Sequence, residues 1–349
     1  MGSLLSYSGL ATKIRAMQSR LFTEPEYQEL SQMTNLSQAV SYIKKHPGFS
    51  QLWQDIDESS PDLNEIKQRL TYSIYANYTR IYRFSNSKQR RFLALYFKRY
   101  EIQIIKACLR KIFDHRDIHL DLSIFHDFFI QHSKLNLDKL TTSSTIEEFV
   151  NNLKGSEYYM PLSHLLNASD SNNTTLFEYG MALDQYYFTL IWKKKEKIFS
   201  GADLEEITKA YGRKFDMLNL NWIYRSKRYY HMEPASIYAL LIPMQYKLQM
   251  KEITALVEAS DMEEFGKILS ETYYNRLAPE LKPESLEQAY VHILRSVLEQ
   301  AAKRHPHSVA IIYNYLYRKE HESDRLTTAI ECIRYGVSPE ETMRHIMNN

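Results

Sequence analysis

One short stretch is written three times along this chain, and the recurrence limits what the chain can fold into. "STIEEFVNNLKGSEYY" begins at Ser144, "SDMEEFGKILSETYY" at Ser260, and a looser form, "TNLSQAVSYIKKHPGF", at Thr34. Each reads as a capped amphipathic helix. Asn35, Thr145 and Asp261 stand at the cap, where a side-chain oxygen takes the amide of the third helical residue. Gln38, Glu148 and Glu264 follow three residues later, placed to reach back to the cap amide in a capping box. Behind each cap runs an apolar stripe at i, i+3, i+4, i+7, the spacing of one helix face. It reads Leu36, Ala39, Val40, Ile43 in the first copy and Ile146, Phe149, Val150, Leu153 in the second. The third has Met262, Phe265 and Leu269, with Gly266 at the odd place, and Leu30, Leu140 and Leu256 each stand six residues before a stripe.

The stripes are offset by 110 and then 116 residues (36 to 146, 146 to 262). After each comes a breaker-rich loop: "DESSPD" from Asp57, "NASDSNNTT" from Asn167 and "LAPELKPE" from Leu277. A long helical pattern follows, and then a second related segment that starts at Tyr96, Tyr211 and Tyr315 and puts Glu101, Asp216 and Glu322 in register. The period is domain-sized, unlike that of a short stacking solenoid. It predicts an all-α, triplicated chain whose three similar helical domains span residues 1–120, 121–235 and 236–349. The last copy closes with "GVSPEETMRHI", where Gly336 ends one helix, Ser338 caps the next, Pro339 takes its first turn and Glu341 completes the box.

Composition agrees. Hydrophobic residues make up 44% of 349, ample for one core or three small ones. Only 9 glycines and 10 prolines occur, which disfavours glycine-rich nucleotide folds and turn-dense β sandwiches. Lys+Arg 44 against Asp+Glu 42 leaves a net charge of +2, too balanced to mark a nucleic-acid binder. Cys108 and Cys332 lie within helical patterns and read as ordinary buried thiols of a reducing compartment. No apolar run approaches the roughly 20 residues of a membrane span, and the start lacks a signal peptide's apolar core. The expectation is a cytoplasmic protein, at most peripheral to a membrane.

No phosphate loop, dinucleotide fingerprint, zinc-protease motif, C-x-x-C or nucleophile elbow occurs, so no catalytic, cofactor-binding or metal residues are assigned. "DHRDIHLD" gathers Asp114, His115, Asp117, His119 and Asp121, and His115 and His119 could share a helix face. The other two copies carry nothing similar there, which favours an exposed connection. "RIYRFSNSKQRRF" interleaves Arg80, Arg83, Lys88, Arg90 and Arg91 with aromatics, as single-strand binders do, but also as two amphipathic helices meeting at a basic loop do. "WKKKEKIF" from Trp192 reads as a solvated helix face or, less often, a docking patch for an acidic partner or lipid head groups.

Several segments resemble the C subunit of the bacterial and archaeal V/A-type rotary ATPases, whose eukaryotic relative is the V-ATPase d subunit. They are "GLATKIRAMQSRLF", "RRFLALYFKRYEIQIIKACLR", "DMLNLNWIYRSKRYYHMEPASIYALLIP" and "IRYGVSPEETMRHI", in the family's order and over essentially the whole chain. The central copy, with Asp216, Asn219, Leu220, Arg225 and Tyr229, is most similar to the family's pattern. The first copy has Gln103-Ile104 where Asn-Leu is commoner, and the third has Glu331 where an arginine is usual. The resemblance implies a funnel of three helical domains about a pseudo-threefold axis, acting as a non-catalytic connector. Its implied partners are the D and F subunits of the central stalk and the proteolipid ring of the membrane rotor, with torque coupling ATP to proton or sodium transport. It implies no cofactor, no nucleic acid, no transmembrane segment of its own, and a place on the cytoplasmic face of the cell membrane.

Two other classes fit the helical pattern: an α-helical adapter or scaffold outside any ATPase, and a helical metal-dependent hydrolase built on the His115 cluster. The residues singled out for partner contact are Glu101, Arg110, Asp216, Arg225 and Glu322. The acids sit in apolar stretches at matched places, where they either pair inside the protein or line the funnel and meet the stalk.

Overall fold

The structure is a computed structural model that describes residues 2–114, 122–167, 175–278 and 281–348. Among the described residues every regular element is a helix and no strand occurs. The fold is all-α. Short helices and long pairs alternate along the chain. Helices α1 (Gly2–Gln18), α2 (Glu24–Ser31) and α3 (Leu36–Lys45) precede the long α4 (Leu63–Phe84) and α5 (Ser87–Phe113). Helices α6 (His126–His132), α7 (Leu137–Thr142), α8 (Ile146–Asn152) and α9 (Tyr159–Leu166) precede the long α10 (Leu176–Ile198) and α11 (Gly201–Arg228). Helices α12 (Pro234–Leu240), α13 (Met250–Glu258) and α14 (Met262–Glu271) precede α15 (Leu286–Arg304) and α16 (Ala310–Arg334), and α17 (Pro339–Asn348) follows.

The three repeated helices start where their caps require. Asn35 Oδ1 accepts the Gln38 amide at 3.0 Å, Thr145 Oγ1 the Glu148 amide at 3.2 Å, and Asp261 Oδ1 the Glu264 amide at 2.8 Å. The return bond differs from the expected capping box. Gln38, Glu148 and Glu264 accept the amides of Thr34, Ser144 and Ser260, one residue before each cap, at 3.0, 3.0 and 2.7 Å. The reason is reach: one further residue back, the extended chain still directs a free N–H toward the first turn, and a long side chain can span the gap. The box with the return bond on the cap itself occurs at α10, where Glu178 takes the Thr175 amide at 2.7 Å. Behind the caps Ala39, Val40, Ile43, Phe149, Val150, Leu153, Phe265 and Leu269 are buried, while Ile146 and Met262, at the head of the second and third stripes, are only half-buried.

The chain forms two compact units. Unit 1 comprises residues 1–86 and 291–349, and unit 2 comprises residues 87–290. In unit 1, α16 is buried along most of its length and packs on α1, α2, α3, α4 and α17. Its residues Leu326, Ala329, Ile330 and Ile333 close a core with Phe49, Trp53, Ile66 and Leu70. Such a helix, apolar on more than one face, is stable only with partners all round. It ends at Gly336, whose φ is +67°, with the amides of Gly336 and Val337 bonded to the carbonyls of Ile333 and Cys332. Ser338 Oγ then accepts the Glu341 amide at 3.3 Å, while the Glu341 carboxylate pairs with Arg344.

In unit 2, α10 packs on α5, α9 and α11, and α11 packs on α12 and α13. Gly212 in α11 makes one approach possible: a Cβ there would lie 2.4 Å from the Tyr246 ring. The segment before α13 therefore lies flat on α11, one turn from Asp216. Cys108 and Cys332 are both free and buried, and burial pushes the Cys108 thiol up to about 12.

Candidate partner interface

A charge inside an apolar helix is costly unless it is paired or hydrogen-bonded, and the three matched acids are such charges. Glu101 on α5, Asp216 on α11 and Glu322 on α16 are 5%, 0% and 4% exposed. Each carboxylate is satisfied inside its own unit. Glu101 accepts the hydroxyls of Tyr158, at 2.6 Å, and of Ser133, with the Lys98 ammonium at 4.0 Å. Asp216 accepts the amides of Tyr246, Lys247 and Leu248 at 3.1, 2.6 and 2.9 Å, and the Tyr274 hydroxyl at 2.7 Å. Glu322 accepts the Phe22 amide at 2.7 Å and pairs with Lys319 one turn earlier on its own helix.

Burial raises the pKa of Asp216 despite four donors that favour its charged form. Burial, and then the neighbouring carboxylate, push the hydroxyls of Tyr158 and Tyr274 far above the ordinary phenol range. These tyrosines therefore stay protonated and act only as donors.

The pattern is directional. Each acid reaches a segment on the far side of an expected repeat boundary: Glu101 to Tyr158, Asp216 to Tyr274, and Glu322 round to Phe22. Sequence reasoning singles out the acids and misses the tyrosines. The signal is present, because Tyr158 and Tyr274 stand at the same distance from the helix starts Ile146 and Met262. The corresponding place after Leu36 is Gly48, which has no hydroxyl to give, and there the acid has a lysine instead. Asn219, one turn from Asp216, clamps the same segment by accepting the Ile242 amide at 2.8 Å and donating to its carbonyl at 3.0 Å. Ile104, at the matched place on α5, cannot do this.

Arg110 and Arg225, the two basic residues singled out, are exposed. Arg225 borders an apolar groove of about 640 Å³ in unit 2. The α11 side of the groove is Leu218, Asn221, Trp222 and Arg225, again the i, i+3, i+4, i+7 spacing. Facing it are Phe177 and Met181 of α10, Leu240 of α12, Tyr230, Met232 and Tyr290. Phe177 is 57% and Tyr230 65% exposed. Aromatics left in water around a hollow, with a guanidinium at the rim, are what a protein-binding surface presents.

His115, Asp117, His119 and Asp121 lie outside the described residues, and Asp114 follows the end of α5. Among the described residues no helix is long and apolar enough to cross a membrane.

Compared with known families, residues 10–345 match the model of the ATP synthase (C/AC39) subunit. The chain belongs to that family. Similar curated proteins are each named as the C subunit of an A-type ATP synthase. That of Methanosarcina mazei is 26% identical, the match covering 96% of this chain and 91% of the relative. That of Methanocaldococcus jannaschii is 24% identical, covering 97% and 85%, and that of Thermococcus kodakarensis is 23% identical, covering 96% and 88%.

Proposed function

We propose that this chain is the non-catalytic connector of a V/A-type rotary ATPase, a socket that joins the D and F subunits of the central stalk to the proteolipid ring of the membrane rotor. As a member of the ATP synthase (C/AC39) subunit family it works as one part of a larger complex, and the family match from residue 10 to residue 345 is the observation that carries the reading. Three similar helical domains closed into a funnel belong to the same proposal. A connector must resist shear while a shaft turns in it. Buried carboxylates that tie successive segments supply stiffness without any reactive group. The protein then sits on the cytoplasmic face of the membrane, held there by the ring, and transmits torque between ATP and proton or sodium movement.

In this reading the groove beside Arg225, together with Arg110, meets a partner. Glu101, Asp216 and Glu322 hold the spacing behind that surface, so reversing their charge tests folding before it tests coupling. The deciding measurement is co-migration of the purified chain with the detergent-solubilised rotor ring and, separately, with the D–F stalk. Arg110→Glu with Arg225→Glu, folded by circular dichroism, is expected to leave ATP hydrolysis by the soluble head intact and to lower ATP-driven ion transport, because like charges opposed at a packed interface repel. A chain that binds neither ring nor stalk would remove the proposal.

A further inference from the structure

Unit 1 contains a polar pocket of about 260 Å³ that the connector reading does not use. It opens between the end of α1, the start of the segment after α3, and the middles of α4 and α16. Four cationic side chains line it, Lys13, Arg20, Arg80 and Lys319, and no carboxylate does. Lys319 is neutralised from behind by Glu322. The other three charges have no anionic partner among the described residues. The Lys13 ammonium lies 5.2 Å above the exposed Phe84 ring, and Arg80 donates to the neutral Gln51 amide oxygen at 3.2 Å. Arg20, exposed at the rim, makes no side-chain hydrogen bond among the described residues.

The floor of the pocket is rigid and polar. The buried Tyr315 hydroxyl donates to Asn77 Oδ1 at 2.9 Å, and Asn77 Nδ2 donates to the Ser73 carbonyl at 2.6 Å. Burial, and then the Glu322 carboxylate, raise the Tyr315 pKa, while Arg80, Arg318 and Arg20 lower it, so the hydroxyl lies within reach of the field of the pocket's two guanidinium groups. Three cations converging on one hollow repel each other, and an anion that enters it removes that repulsion. Guanidinium groups present paired N–H donors to tetrahedral oxyanions, and an ammonium adds a point charge. Arg80 opens the basic run that the sequence marks at "RIYRFSNSKQRRF". Its neighbours divide: Lys88 pairs with Asp203 at 3.0 Å, and Arg83 is exposed.

We propose that this pocket binds a phosphate-type oxyanion, carried by a free phosphorylated solute or by a phospholipid head group. The test uses the full chain at an ionic strength of about 0.15 M, where charges more than roughly 8 Å apart are largely screened. Sodium phosphate and sodium pyrophosphate are titrated calorimetrically, and phosphatidylcholine vesicles are sedimented with and without phosphatidic acid. At least one of these probes should bind saturably at one site per chain. Arg20→Gln and Arg80→Gln should each weaken that binding roughly tenfold or more, as loss of one charge-assisted contact does. Arg83→Gln, nearby but outside the pocket, should change it less than about twofold. Binding of the soluble anions identifies a solute, and binding of phosphatidic-acid vesicles alone identifies a head group; either result supports the site. The proposal is overturned if no probe binds saturably, or if Arg83→Gln weakens binding as much as the pocket variants do. Arg20 is exposed and unbonded, so its variant keeps the fold, which circular dichroism verifies.

Discussion

Asp216 in unit 2 and Glu322 in unit 1 stand at matched places in the period, and both are sealed from water, yet their charges are stabilised by different means. Asp216 has no cation within hydrogen-bonding distance among the described residues. It is held by three consecutive amides and a phenol, a cradle that exists only because Gly212 lets the Tyr246 segment lie on α11. Glu322 needs one backbone amide and obtains the rest from Lys319 on its own helix. The first solution depends on the path of a loop. The second depends on a single side chain and tolerates a different path, which is why Gly48 and Phe49 can stand where the other copies have a donor tyrosine. Glu101 is intermediate, with two hydroxyls and a more distant ammonium.

The largest effect expected from this contrast is at Lys319. Lys319→Met leaves Glu322 buried without its cation and should cost about 3–5 kcal/mol of unit 1 stability, whereas Lys319→Met with Glu322→Gln should recover much of it. Trp53, fully buried in the unit 1 core, reports this by fluorescence once Trp192 and Trp222 are replaced by phenylalanine. Equal losses in the single and double variants would mean that packing, and not charge, sets the cost.

A smaller difference separates the two tyrosines. Tyr158→Phe removes one of the two hydroxyl donors that Glu101 has among the described residues and should cost about 1.5–3 kcal/mol. Tyr274→Phe leaves Asp216 with three amides and should cost roughly 1 kcal/mol, within the range of a single hydrogen bond. Thermal midpoints of the two variants in one buffer give the order, and a reversed order would show that the amide cradle is the weaker support.

The smallest effect is titration of His46 in unit 1. Burial lowers its pKa, more than Glu26 and Glu322 raise it, and its Nδ1 accepts the Gly48 amide at 3.1 Å. The folded pKa lies below the unfolded value of about 6.5, so the unfolded chain binds more protons in that window. Stability contributed by neutral His46 is present above that value and declines as pH falls toward the folded pKa. Denaturation midpoints of unit 1 between pH 7.5 and 5 should fall, and His46→Asn, which keeps an acceptor for the amide, should flatten the slope. Burial shifts His132 of unit 2 in the same direction, so the slope of unit 2 should persist unchanged in that variant.

What can be read from the sequence is local. The caps at Asn35, Thr145 and Asp261 rest on bonds between residues three apart, and the stripes behind them on helix geometry, so both are legible. A spacing rule places the return bond one residue away from where it forms, because side-chain reach does not register in it. The acids are visible as charges in apolar runs. Their partners are not, because Glu101 and Tyr158 meet only after several intervening helices have folded, and nothing local to either residue specifies the other. The groove divides in the same way. Arg225 and Trp222 lie on one legible stripe, while Phe177, Leu240 and Tyr290 come from three other helices. The pocket at Arg20 and Arg80 joins residues from both ends of the chain, and of these only Arg80 lies in a conspicuous basic run.

Unit 1 is built from the two ends of the chain, and this has a consequence for the order in which the protein matures. A ribosome delivers residues 1–86 before unit 2, but the α16 residues that close their core, Leu326 to Ile333, emerge only after it. Unit 2 is contiguous and can complete itself in between. At roughly 5–20 residues per second, the opening segment waits tens of seconds with Phe49, Trp53, Ile66 and Leu70 uncovered. Emergence of α16, and not of the chain's first helices, is the moment at which those first-made helices become solvent-proof. Nascent chains stalled before residue 326 would accordingly expose that apolar face to chaperones, while unit 2 already resists protease.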